Sequence, residues 1–102
     1  MVLNSKQRAH LKGLANSLQA IIQVGKAGVG DNLIVQIDEA LEARELVKIR
    51  FLQNIEEEPQ ELAETLANLT KSEVVQRIGG VVVLYRRSEK NPNKGALLTN
   101  DT

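Results

Sequence analysis

Gly25-Lys26-Ala27-Gly28 is the stretch of this sequence best suited to chemistry. With Gly30 it places three glycines within six residues, between a β-branched run ending at Val24 and a helical period that begins near Asp31. Glycines let the backbone approach a ligand closely, and N–H groups at a helix start point toward whatever lies in front, so an anion such as phosphate is the natural guest. Lys26 adds a flexible point charge that suits a phosphate contact without discrimination between bases. The same residues also fit an ordinary turn needing positive φ, and the pattern alone leaves both readings open. A P-loop is excluded, because no Lys-Ser or Lys-Thr pair follows at the spacing that nucleotide hydrolysis requires.

Other charged residues could join this loop. Arg8 and Lys12 lie four apart on one flank of a helical stretch, with Lys6 and His10 on the opposite flank. They serve either as an anion-binding face or as a solvated helix surface. Arg86 and Arg87 close a β-rich run, where they either bind or protect a sheet edge from pairing. Glu56-Glu57-Glu58 precede Pro59 and are explained by favourable charge at a helix start, not by acid–base chemistry. His10 has no cysteine or second histidine with which to hold a metal. The aromatic residues are Phe51 and Tyr85, and Phe51 is expected in the core, so a platform for stacking bases is not expected. No cofactor is implied, and no nucleophile–base pair marks an enzyme.

The 102 residues suffice for one domain with a thin core. Net charge is zero but unevenly spread: residues 1–30 carry four bases and no acid, 31–73 eleven acids and four bases, 74–102 five bases and two acids. A basic face can therefore coexist with neutrality if the two ends meet in space. The longest apolar run, Val81 to Tyr85, is too short for a membrane span, no secretory signal opens the chain, and cysteine is absent. A cytoplasmic location is the resulting expectation.

The elements that must position the loop follow from periodicity. Leu11, Leu14, Ala15 and Leu18 predict an amphipathic helix over 5–18, started by Asn4 with Gln7. Ala20 to Val24 predicts a buried strand. Asp31 or Asn32 can cap a second helix ending near Arg44, with Leu33, Ile37, Ala40 and Leu41 inward. Leu46 to Leu52 alternates as a half-buried strand, Val47, Ile49 and Phe51 on one face and Lys48 and Arg50 on the other. A third helix is expected from Pro59 to Leu69. Val74 to Ile78 and Val81 to Arg86 flank Gly79-Gly80, the signature of a tight hairpin. The order α-β-α-β-α-β-β predicts an α/β (α+β) domain with a mixed four-stranded sheet packed with three helices. The domain is expected over 1–87, and the tail 88–102, without apolar period, is expected to be mobile.

Four stretches together resemble one family: Lys6-Gln7-Arg8 with Leu11-Lys12-Gly13-Leu14-Ala15, then Val24 to Val29, then Glu39 to Lys48, and finally Val75 to Gly79 with Val83 to Arg86. In order and spacing they resemble the CRM family (chloroplast RNA splicing and ribosome maturation domain) in its bacterial stand-alone YhbY-type form. The resemblance covers roughly residues 3–87, most of a domain-sized chain. It implies a fold similar to the C-terminal domain of bacterial translation initiation factor three and RNA binding through the GxxG loop. It also implies association with precursor rRNA of the large ribosomal subunit. The RNA-binding role falls on Gly25, Lys26, Ala27 and Gly28, with Arg8, Lys12, Arg86 and Arg87 as additions. The sequence departs from the family at Asn16, at Gly30, and at Leu69 to Ser72, where a glycine commonly follows the third helix. Two other functions remain open: a protein-interaction module docking a basic ribosomal partner through the acidic middle segment, and an Alba-like coat on nucleic acid.

Overall fold

The structure, a computed structural model, describes residues 3–90. Its elements keep the expected order: α1 (Ser5–Ala15), β1 (Ile22–Val24), α2 (Asp31–Arg44), β2 (Leu46–Phe51), α3 (Pro59–Thr70), β3 (Glu73–Ile78) and β4 (Val81–Tyr85). The strands form one mixed sheet in the order β1-β2-β4-β3, with β1 and β2 parallel and the other neighbours antiparallel. Strand alternation then sorts the helices into two layers. Val47, Ile49 and Phe51 of β2, with Val82 and Leu84 of β4, pack against Ile37 and Leu41 of α2 and Leu62 and Leu66 of α3. On the other face Leu46, Val75, Val83 and Tyr85 pack against Leu11 and Ala15 of α1.

The first helix starts as its sequence directs, with the Asn4 side chain accepting from Gln7 N–H and Gln7 returning the bond to Asn4 N–H. It stops three residues earlier than expected, at Ala15 rather than Leu18. The reason is tertiary. Lys48, reaching from β2, donates through Nζ to the carbonyls of Ala15 (3.0 Å) and Leu18 (3.1 Å), while the Leu18 N–H closes a tight turn on Ala15 O, so the chain leaves the helix in a turn held by a cation. Arg8 is likewise committed, since its guanidinium donates to Val74 O beside a register shift in the β3–β4 ladder. Such an irregularity interrupts the ladder locally, and Arg8 satisfies a carbonyl there.

Two helix ends require left-handed backbone without glycine. Glu45 ends α2 at φ 66°, and Lys71 ends α3 at φ 55° and ψ 41°. Lys71 thus takes the conformation that the family's glycine would supply. In the β3–β4 hairpin only Gly79 has positive φ, at 57°; Gly80 is needed for space, because a Cβ there would lie 3.0 Å from Phe51 O.

The Tyr85 hydroxyl is buried and has no hydrogen-bond partner among the described residues. Burial, with Glu45 nearby, pushes the phenol's pKa up. A buried hydroxyl left unpaired destabilises the fold. Tyr85→Phe is therefore expected to raise stability by about 1 kcal/mol, read as a higher urea midpoint at unchanged slope.

Candidate functional site

The GxxG loop runs directly from the end of β1 into the start of α2. Gly28 N–H donates to Gly25 O at 2.9 Å, closing a turn with Lys26 and Ala27 at its tip, both exposed. Gly28 has φ 71°, a conformation costly for a side chain, and a Cβ there would also stand 3.4 Å from Glu57 Oε1. Gly25 seats against Leu52, and Leu52 N–H donates to Val24 O, so the loop is pinned to the end of β2. Gly30, not Asp31 or Asn32, occupies the cap position of α2, and no side chain caps it. The first N–H groups of an uncapped helix lack acceptors and carry partial positive charge. Turn tip, Lys26 and bare helix start therefore adjoin along the chain and offer donors to an anion, with the Glu57 carboxylate beside Gly28 as the opposing charge.

The other predicted residues separate into two places. Lys12 lies exposed in the last turn of α1. Arg8 is half-buried and holds β3. Arg86 and Arg87 follow β4 at its C-terminal end, whereas the loop adjoins the C-terminal end of β2; because these strands are antiparallel, the two places are separated by about 17 Å, one strand length. They cannot grip the same phosphate. Nor do they guard an edge, since β4 is an interior strand.

Arg86 instead ties three elements together. Its guanidinium lies 2.5 Å from Asp38 Oδ1 and 3.5 Å from Glu42 Oε1, and donates to Thr70 O at 2.8 Å and Asp38 O at 3.1 Å. The same end anchors the chain beyond the expected domain boundary. Ser88 is fully buried, its N–H donating to Glu45 and its hydroxyl to Glu42, and the Glu89 and Lys90 N–H groups also reach Glu42. These bonds, led by the Ser88 hydroxyl, hold the Glu42 carboxyl below the usual range. The boundary expected after Arg87 thus falls inside an anchored segment, while 91–102 lie outside the described residues. An open cleft of about 1000 Å³ at this end mixes Asp38 and Glu42 with Arg86, Arg87 and Lys71, so opposite charges cancel where phosphate would need excess cation.

Sequence reading passed over Arg50. It stands exposed on β2, paired with Gln23 of β1 and Val81 of β4, on the sheet face opposite α2 and α3 and at the loop's end of the sheet. The alternation of β2 placed it outward, but only the pairing of β1 with β2 brings it beside the loop. Both aromatics, Phe51 and Tyr85, are buried, so neither ring is presented to a base. Among the described residues no group of three or more His, Cys, Asp or Glu could hold a metal ion, and no helix is long and apolar enough to cross a membrane.

Three helices on a mixed four-stranded sheet, with a glycine turn feeding the uncapped start of α2, make this a small α+β domain. Residues 3–86 match the CRS1 / YhbY (CRM) domain, and the chain belongs to that family. Its relatives include the Bacillus subtilis "Probable RNA-binding protein YqeI", 50% identical over 88% of this chain and 94% of the relative. A Haemophilus influenzae "RNA-binding protein" is 35% identical over 86% and 89% of the two chains. A solution structure from Staphylococcus aureus superposes with a TM-score of 0.75 at 46% identity, covering 91% of this chain and 97% of that one.

Proposed function

We propose that this chain is an RNA-binding protein that contacts precursor rRNA of the immature large ribosomal subunit in the cytoplasm. The observation that carries the reading is the junction of the exposed Lys26 turn with the uncapped start of α2. Phosphate is gripped there by backbone donors and one lysine, so binding follows RNA shape and backbone rather than base identity. Family membership and the names of the relatives support RNA as the ligand. The acidic middle segment offers less to a basic protein partner than its composition suggests, because Asp38 and Glu42 are already engaged by Arg86. A dominant electrostatic term makes binding salt-sensitive: affinity for structured rRNA fragments should fall severalfold between ~50 and ~200 mM salt. In cell extracts the tagged protein should sediment with large-subunit precursors and leave those fractions after nuclease treatment. Salt-independent binding, or exclusion from precursor fractions, would contradict the proposal.

A further inference from the structure

The sheet face that carries α1 is only partly covered by it. Toward the loop, beyond Lys48 at the end of α1, one row of paired residues crosses all four strands: Gln23, Arg50, Val81 and Ile78. Its width is about 14 Å at the usual strand spacing. Gln23 and Arg50 are exposed, Val81 is half-buried, and Ile78 is 66% exposed, the most open large apolar side chain among the described residues. Arg50 has no ion pair among the described residues. The row contains no acid. It is a cation set in an apolar strip, continuous with the GxxG loop through the pairing of Val24 with Phe51 and the seat of Gly25 on Leu52.

Charge decides which way a strand held at the loop would leave it. On the α3 side Glu57 stands against Gly28, between Glu56 and Glu58, and repels phosphate. Across the sheet lies Arg50, with Lys48 behind it. Arg50 can meet a phosphate, while Ile78 and Val81 offer an aliphatic surface to the apolar face of a base. Resting on the RNA-binding reading above, we propose that this row is a second contact surface, which receives an unpaired stretch of the RNA gripped at the loop. Arg50 engages its backbone, and Ile78 and Val81 support its bases.

The test compares a blunt RNA hairpin with the same hairpin carrying a single-stranded extension of about ten uridines, a length within the range such surfaces track. Affinities are measured by fluorescence anisotropy for the full chain, with thermal melts confirming that each variant folds. The extension should strengthen binding of the unmodified protein. Arg50→Ala should weaken binding of the extended RNA about fivefold and lower its salt slope by about one, leaving the blunt hairpin nearly unaffected. Arg50→Lys should restore most of that loss. Ile78→Ser should weaken the extended RNA about threefold without changing the salt slope, as loss of an uncharged base contact requires. If Arg50→Ala and Ile78→Ser bind the extended RNA as the unmodified protein does while Lys26→Glu binds both RNAs poorly, the sheet surface is not an RNA contact and the loop reading stands. If the extended RNA binds normally to these variants and Ile78→Ser instead dissociates a dimer in sedimentation, the row is a protein interface and the proposal is overturned. If Lys26→Glu binds both RNAs normally, the loop reading itself falls.

Discussion

Lys26→Glu should lower affinity for structured RNA about tenfold at ~0.1 M salt while leaving the urea midpoint unchanged. The lysine sits exposed at the tip of a closed turn and makes no hydrogen bond or ion pair among the described residues, so the fold loses nothing with it. Surface changes of that kind stay within about 0.5 kcal/mol of neutral. For RNA the change counts twice, because an attraction is removed and a repulsion of similar size is added. Two unit charges about 4 Å apart in water interact by about 1 kcal/mol, and reversal therefore approaches 2 kcal/mol before screening by salt reduces it. The salt slope should fall by about one, the mark of a lost phosphate contact. Anisotropy titrations at several salt concentrations read both effects.

Arg86→Ala should do the reverse, lowering stability by about 2 kcal/mol and leaving RNA affinity within about twofold. The Arg86 side chain is 17% exposed and Asp38 54% exposed, so the pair is partly screened and falls short of the loss expected when a fully buried pair is broken. The larger part of the effect comes from the α3 carbonyl of Thr70 and the α2 carbonyl of Asp38, which lose their donor, and from Glu42, left with one cation fewer. Urea unfolding measures the stability change. Lost RNA binding with intact stability would instead move the functional surface to the far end of the sheet.

These two residues mark the limit of what the sequence reveals. Every element, the capping pair of α1, the buried Phe51 and the mixed sheet are legible because each follows from local period or local turn chemistry. The loop's position between β1 and α2 is legible for the same reason. What stays hidden depends on strand order. Arg86 and Arg87 look like a basic patch or an edge guard until β4 is found inside the sheet and Arg86 between Asp38 and Glu42, residues 48 and 44 positions away in sequence. Arg8 looks free until β3 presents Val74 O to it. The end of α1 is equally nonlocal, since Lys48 donates to its last carbonyl, Ala15 O, from 33 residues downstream. Arg50 shows the opposite error: an ordinary outward arginine in the pattern of β2, it is placed near the loop by the parallel pairing of β1, which no local period encodes.

The loop remains the centre of the proposed interface, but its company has changed. The resemblance implies Arg86 and Arg87 as additions to it; the fold separates them from it by about a strand length and engages Arg86 in structure. Backbone amides observed by NMR during titration of the ¹⁵N-labelled chain with a structured rRNA fragment test this arrangement directly. The expected result is that the Lys26, Ala27 and Asp31 to Leu33 signals shift most and that Arg86 and Arg87 stay still. Shifts centred on Arg86 and Arg87, with the loop unmoved, would contradict it.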